Sequence, residues 1–134
     1  MSERANRWTA PQVLLPTGGE GRARLAQNWT VVVGGWYVRV PQGYATDGAT
    51  GPRWRWPVCG HPLEAPRVYA ALVHDYLYEY GRRKFGMSRA DADMVYYRLL
   101  RVYGWGRFRA AVEWAALRLF GASHWRGGPR HRRF

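Results

Sequence analysis

Cysteine is almost absent from this 134-residue sequence. The single cysteine, Cys59, excludes an internal disulfide framework and a cysteine-based metal site. A structural zinc site is therefore not expected. The length fits one domain, residues 1–134, and hydrophobic residues make up 47% of the chain, which indicates a protein that folds around a core.

Lysine and acidic residues are also scarce. Of 21 basic residues only Lys84 is a lysine, and nine acids leave a formal net charge of +12. A charge this large implies a polyanionic partner, and the arginine fork suits the phosphates of nucleic acid or phospholipid head groups. An arginine-rich coding bias would give the same composition without such a partner.

Long apolar runs are absent as well. No stretch approaches the length of a transmembrane helix, so no transmembrane segment is expected. Residues 1–10 carry charges without a following apolar run, so we expect a loose arm rather than a signal peptide, and a soluble intracellular product.

Residues 11–53 have the pattern of a β section. Gln12–Leu15 is a short strand candidate, and Asn28–Val33 and Trp36–Val40 are rich in β-branched and aromatic residues. The two-residue link Gly34-Gly35 predicts a β-hairpin between these two runs. The following segment, Pro41–Arg53, has three glycines, two prolines and Asp-Gly, which indicates an ordered loop, called the glycine loop below. A simple connection to the helices is the alternative.

Residues 64–121 have the pattern of a three-helix unit. Pro66 is tolerated in a first helical turn, nothing breaks the helix before Tyr80, and Gly81 is expected to end it. Ser88 and Asp91 predict an N-terminal capping box for the second helix. Its buried stripe is expected to contain Ala92, Val95, Tyr96, Leu99, Val102 and Tyr103.

A third helix is expected from Arg107 to Phe120, with one apolar face and Gly121 as its stop. That face would contain Phe108, Ala111, Val112, Ala115 and Leu119. The predicted fold class is therefore α+β: a small N-terminal antiparallel β section followed by three helices, the first two antiparallel.

The last segment, residues 122–134, is a basic tail. Its cations Arg126, Arg130, Arg132 and Arg133 have no nearby acid in the sequence. We expect the tail to bind anionic membranes or nucleic acid in a salt-sensitive way.

Adjacent His74 and Asp75 lie in the middle of the apolar first helix. Two ionisable groups on a core-facing helix cost free energy unless they have partners. Asp93 on the second helix could accept a ring N–H of His74 and leave the other nitrogen to activate water. Asp75 could hold a calcium ion together with Asp47, Gly48 and Gly51 of the glycine loop.

Three other interpretations remain open for these residues. They could form a satisfied polar network between two helices, with no catalytic role. A metal phosphohydrolase would need further histidine ligands, but His61, His124 and His131 lie in predicted loop or tail. Nucleic-acid binding through arginine and tryptophan is the third interpretation.

Four motifs resemble the DUF1353 family of tailed-phage and prophage proteins. They are VPQGYATDGATGPR at residues 40–53, AALVHDYLY at 70–78, RADADMVY at 89–96 and ALRLFG at 116–121. The resemblance extends over about residues 11–126. It implies a phage origin, and hence a place in the host cytoplasm or the virion with other phage proteins as partners.

The glycine loop and the first two helices also resemble, more loosely, phospholipase A2, especially its bacterial and parvoviral forms. That resemblance implies His74 as the general base, Asp93 as the acid that orients it and Asp75 as the calcium carboxylate. Tyr78 would be a supporting phenol, and the calcium loop would begin at Tyr44. It implies a calcium-dependent ester hydrolase acting on an anionic phospholipid surface; the alternative is a non-catalytic virion or lysis component.

Overall fold

The computed structural model describes residues 10–14, 22–46 and 67–125. Within these residues five short strands precede three helices, which confirms the α+β class. The strands are β1 (Val13–Leu14), β2 (Ala23–Leu25), β3 (Trp29–Val33), β4 (Trp36–Val40) and β5 (Ala45–Thr46). The helices are α1 (Arg67–Phe85), α2 (Arg89–Val102) and α3 (Arg107–Phe120), and a 3-10 turn, Ala122–His124, follows.

The predicted hairpin is present as β3 and β4. The strands pair antiparallel with Val31 opposite Val38. Gly34 and Gly35 both have positive φ, +58° and +84°, the backbone that a two-residue turn of this twist requires. Trp29, Val31 and Val33 alternate inward, so one face of the hairpin joins the core.

Two further strands were not predicted. β2 lies between β1 and β5 in a second antiparallel sheet, and β5 lies within the segment predicted to be all loop. Strands of two and three residues are too short to show a period of two, so the sequence pattern could not reveal them. β5 contacts α1 and brings this part of the glycine loop, Ala45–Thr46, to that helix.

The first helix continues past its predicted end. Gly81 is buried within α1, and the helix ends at Phe85, followed by Gly86 with φ +66°. Gly86 donates its N–H to the carbonyl of Arg82, as expected of a glycine after a helix end. The prediction that Gly81 ends the helix was therefore wrong. Gly81 instead faces Met87, and a Cβ added to Gly81 would lie 3.4 Å from the Met87 sulfur.

The second helix begins with the predicted capping box. Ser88 accepts from the N–H of Asp91 at 3.1 Å, and Asp91 accepts from the N–H of Ser88 at 3.2 Å. Most of the predicted stripe is buried, but Val102 is 40% exposed in the last turn. The contacts between α1 and α2 pair residue 74 with 93 and residue 78 with 89, so the two helices are antiparallel as predicted.

The third helix has the predicted bounds but a different buried face. Phe108 and Leu119 are 77% and 74% exposed. The buried residues are Ala110, Glu113, Ala116 and Leu117. Glu113 faces inward because its carboxylate forms a 3.1 Å ion pair with Arg67 and accepts the Tyr96 hydroxyl at 2.9 Å. A buried acid with two partners is allowed in a core, and this made the apolar pattern misleading.

Four predicted segments lie wholly or partly outside the described residues. They are the arm apart from Ala10, the loop from Asp47 to Arg53, the start of the helical unit at residues 64–66, and the basic part of the tail with Arg126, Arg130, Arg132 and Arg133. Within the described residues the tail begins with the 3-10 turn and the buried Trp125. None of the described helices is long and apolar enough to cross a membrane.

Candidate active site

His74 and Asp93 meet in the buried space between α1 and α2. Nε2 of His74 lies 2.9 Å from Oδ1 of Asp93, and the two residues are 4% and 0% exposed. This is the contact predicted from the sequence. It forms because both side chains lie on the facing sides of two antiparallel helices.

Asp93 is the shared acceptor of the site. Oδ1 also accepts the hydroxyl of Tyr78 at 2.5 Å, and Oδ2 accepts Nη1 of Arg118 at 2.7 Å. Burial by itself would raise the pKa of Asp93, but the bonds from His74, Tyr78 and Arg118 outweigh burial and lower it. Asp93 is therefore an ionised carboxylate at neutral pH.

An ionised Asp93 fixes the tautomer of His74. A carboxylate can only accept, so Nε2 of His74 carries the hydrogen and Nδ1 is left as an acceptor when the ring is neutral. Burial would lower the pKa of His74, but the negative charges of Asp75 and Asp93 raise it overall. The rings of Tyr78 and Tyr96 enclose the imidazole, with centroids 4.1 Å and 5.2 Å away.

Tyr78 links the site to the end of α3. Its hydroxyl donates to Asp93 and accepts Nε of Arg89 at 3.0 Å. Burial and the charge of Asp93 raise the pKa of Tyr78, which therefore stays a neutral donor. The ring of Trp125 contacts it edge-on at 5.3 Å, and Gly121 lies so close that a Cβ there would be 2.8 Å from the Tyr78 oxygen.

Asp75 lies on the more open side of the site. Its side chain is 32% exposed, and Oδ1 is 3.9 Å from Nδ1 of His74, too far for a direct hydrogen bond. Oδ2 accepts the hydroxyl of Thr46 at 2.5 Å. Thr46, in the glycine loop, therefore lies beside Asp75, and it is the last described residue before Asp47.

Of the predicted calcium ligands, only Asp75 lies among the described residues. Asp47, Gly48 and Gly51 lie outside the described residues. Within the described ranges no three His, Cys, Asp or Glu side chains are grouped to hold a metal. A partly exposed carboxylate at the start of a glycine loop fits one ligand of a calcium site, and the remaining oxygens would have to come from residues 47–51.

Tyr44, the predicted start of the calcium loop, forms a hydrogen bond with a residue of α1. Its hydroxyl donates to Oε1 of Glu79 at 3.0 Å, one helical turn beyond Asp75. Burial and the negative charges of Asp75 and Glu79 raise the pKa of Tyr44. Tyr44 thus forms part of the acidic surface next to Asp75 and makes no hydrogen bond to the His74–Asp93 pair.

Two arginines of the site were missed in the sequence. Arg118 bonds Asp93, and Arg89 bonds Tyr78 and two carbonyls of α3. Both lie in the quoted motifs RADADMVY and ALRLFG, which was the available signal. Their partners could not be found from spacing, because Arg118 lies 25 residues from Asp93.

The comparison with protein-family models identifies the chain. The model described as protein of unknown function (DUF1353) matches residues 23–117. The chain belongs to the DUF1353 family. Neither the curated proteins nor the solved structures include a match to this DUF1353 protein. The matched range contains His74, Asp75 and Asp93, and Arg118 is the next residue after it.

Proposed function

We propose that this DUF1353 protein is a calcium-dependent ester hydrolase of the phospholipase A2 type. One observation carries the proposal: Nε2 of His74 is held by the ionised Asp93, so Nδ1 is the ring's available acceptor and lies on the side of Asp75. A buried histidine with one nitrogen fixed and the other near a partly exposed carboxylate has the arrangement of a general base.

The proposed chemistry uses water as the nucleophile. Nδ1 of His74 takes a proton from water while the water oxygen bonds the ester carbonyl carbon. The positive charge on the ring is stabilised by Asp93 through Nε2–H and by Asp75 at 3.9 Å. When the carbon–oxygen bond to the alcohol breaks, His74 returns the proton to the leaving oxygen, so no serine or cysteine nucleophile is needed.

The proposed cation would be held by Asp75 and by main-chain oxygens of residues 47–51. Calcium bound there would supply positive charge that stabilises the oxyanion of the ester carbonyl. The hydrogen bond from Thr46 holds the Asp75 carboxylate at the start of that loop. The chain's own residues thus provide the base, its orienting acid and one anchored calcium carboxylate.

The proposed setting follows from the resemblance and the charge. The protein would be phage-derived and act in the host cytoplasm or the virion. Its substrate would be an anionic phospholipid surface, which attracts a chain of formal charge +12. Other phage proteins or nucleic acid are alternative partners of the basic tail.

A non-catalytic virion or lysis component is the second candidate. The observation that favours it is the pairing of Asp93, which is 0% exposed and accepts from His74, Tyr78 and Arg118. Such a network can hold two or three helices together without having any catalytic role.

A calcium titration separates these candidates. Purified protein is incubated with phosphatidylglycerol vesicles in calcium or in chelator, and the released fatty acid is measured. We expect release only with calcium, and Asp75→Asn should need at least about tenfold more calcium, because a neutral amide is a poorer ligand for a hard cation. The amide oxygen can still accept from Thr46, so the local fold is kept.

Glu79→Gln is the matched control. It also removes one negative charge from α1, one turn from Asp75, while its amide oxygen can still accept from Tyr44. Its calcium dependence should stay close to that of the wild type. Absence of fatty acid release by the wild type at any calcium concentration would favour the non-catalytic component, and release that persists in chelator would remove calcium from the proposal.

A further inference from the structure

Arg118 holds the one Asp93 oxygen that His74 and Tyr78 do not use. Its Nη1 donates to Oδ2 at 2.7 Å, and its side chain is 34% exposed. Oδ1 accepts from the other two side chains. The carboxylate cannot rotate about its Cβ–Cγ bond without breaking either the arginine bond or both bonds on Oδ1.

Arg89 fixes the backbone from which Arg118 extends. Its Nη2 donates to the carbonyl oxygens of Leu117 and Arg118, at 2.6 Å and 2.9 Å, and its Nε donates to Tyr78. One guanidinium at the start of α2 therefore ties the end of α3 to the same phenol that bonds Asp93. Cations at the C-terminal carbonyls of a helix are also favoured by the helix dipole.

We propose that Arg118 is a positioning residue for the His74 base, acting through Asp93, with Arg89 as its anchor. This proposal rests on the proposed ester hydrolysis. Arg118 holds Oδ2, so Oδ1 is presented to Nε2–H of His74 in one orientation and Nδ1 is aimed to the side of Asp75. It also supplies a positive charge beside Asp93, as does Arg89, whose Nε lies 3.9 Å from the same oxygen, Oδ2.

The choice of arginine matters for this role. A guanidinium is planar and always charged, and its geometry matches a carboxylate. Lysine keeps the charge but loses the plane, and methionine keeps most of the apolar stem while losing both. The series Arg118→Lys and Arg118→Met therefore separates charge and geometry from simple packing.

The test combines turnover with a spectroscopic readout on the full-length protein. Fatty acid release from phosphatidylglycerol vesicles gives kcat and KM, and proton NMR detects the hydrogen-bonded Nε2–H of His74, assigned by its loss in His74→Gln. Arg107→Met is the matched control, since Arg107 is exposed in the first turn of the same helix.

For Arg118→Met we expect kcat to fall about 10- to 100-fold with little change in KM, because a misplaced catalytic group can cost on the order of a hundredfold. The Nε2–H resonance should shift or broaden beyond detection. Arg118→Lys should recover part of both readouts, and Arg107→Met should match the wild type.

The proposal is overturned if Arg118→Met keeps both the wild-type kcat and the wild-type Nε2–H resonance. It is also overturned if stability and kcat fall while that resonance is unchanged, since Arg118 would then be structural only. If the wild type releases no fatty acid, the proposed function fails, but the NMR comparison still decides whether Arg118 orders His74.

Discussion

At the scale of single residues, His74 and Asp75 differ from Asp93 in how many of their polar atoms are hydrogen-bonded. His74 and Asp75 each have an atom without a direct hydrogen bond among the described contacts, Nδ1 of the ring and Oδ1 of the carboxylate, and these two atoms lie 3.9 Å apart. Asp93 has no such atom, because both oxygens accept hydrogen bonds. Substitution of Asp93 therefore tests stability and activity together, and substitution of the other two tests chemistry more cleanly.

Asp93 should make the stability of the protein depend on acid pH. Its pKa is lowered in the folded state, so it stabilises the fold above the unfolded carboxyl value, about 3.9, and that stabilisation is lost as pH falls through the folded pKa. In Asp93→Asn the amide must face Arg118 or the Oδ1 donors with an N–H, so we expect a loss of about 3–5 kcal/mol at neutral pH.

Urea unfolding at pH 6 and pH 3 measures this contribution. The wild type should lose more free energy of unfolding between the two pH values than Asp93→Asn does. Asp91→Asn, at the exposed cap of α2, should keep the wild-type dependence on acid. Equal losses in wild type and Asp93→Asn would show that Asp93 is not the group responsible.

The contact between His74 and Asp93 was predicted from residue types on two apolar helices together with the resemblance to phospholipase A2. Each lies on a helix with a clear apolar period, and the resemblance gave their pairing. Arg89 and Arg118 could not be assigned in the same way, because an arginine reaches partners across elements and a charged residue at a helix end usually indicates solvent exposure. The interior ion pair of Arg67 and Glu113 was missed for the same reason.

At the scale of elements, local signals predicted helix bounds better than buried faces, and the end of α1 is the exception. Ser88 and Asp91 fix the beginning of α2 by hydrogen bonds within four residues, so the sequence reveals them. Whether Gly81 ends a helix depends on what packs beside it, and Met87 does so here. The buried face of α3 depends on Arg67, 46 residues away, which no local pattern contains.

Two glycines should respond to alanine in opposite directions. In Gly121→Ala the new Cβ would lie 2.6 Å from the carbonyl oxygen of Leu117 and 2.8 Å from the Tyr78 oxygen. Either the end of α3 or Tyr78 must move, so we expect a loss of about 1–3 kcal/mol. In Gly81→Ala the nearest atoms are at 3.4 Å and 3.6 Å, and alanine favours a helix interior by up to about 1 kcal/mol.

Denaturant unfolding of the two variants measures the difference. Gly81→Ala is the control for the added methyl group, since both residues are buried. A stable Gly121→Ala protein with unchanged near-ultraviolet circular dichroism would contradict the close packing of Tyr78 against the end of α3.

At the scale of the whole molecule, the positive charge is uneven. Among the described acids, Asp93 and Glu113 are buried in ion pairs with arginines. Asp75 and Glu79 lie one turn apart beside β5, so the described surface near the proposed calcium ligand is locally acidic. In a basic protein with an acidic site opening, a cation would bind at the site and an anionic surface would bind elsewhere on the molecule.

The basic tail should bind polyanions independently of the site. Deleting residues 126–134 removes Arg126, Arg130, Arg132 and Arg133 but keeps the buried Trp125, which contacts Tyr78. We expect unchanged thermal unfolding and weaker, less salt-sensitive binding to anionic vesicles or nucleic acid, because fewer charges are neutralised on binding.

Replacing the four tail arginines by glutamine controls for length. It should weaken binding as much as the deletion does. Unchanged affinity in both variants, measured by co-sedimentation at two salt concentrations, would assign polyanion binding to the folded part of the chain.

The central claim is that His74 is a base and not a structural residue, and His74→Gln tests it most directly. The glutamine amide can still donate to Asp93, but nothing replaces Nδ1. Calcium-dependent fatty acid release and the unfolding temperature are measured on the same preparation, with the exposed His124→Gln as control. The account predicts release reduced about a hundredfold or more, with the unfolding temperature nearly unchanged. Release by His74→Gln at the wild-type rate would contradict the account. So would a wild type that releases no fatty acid together with a His74→Gln variant that is strongly destabilised.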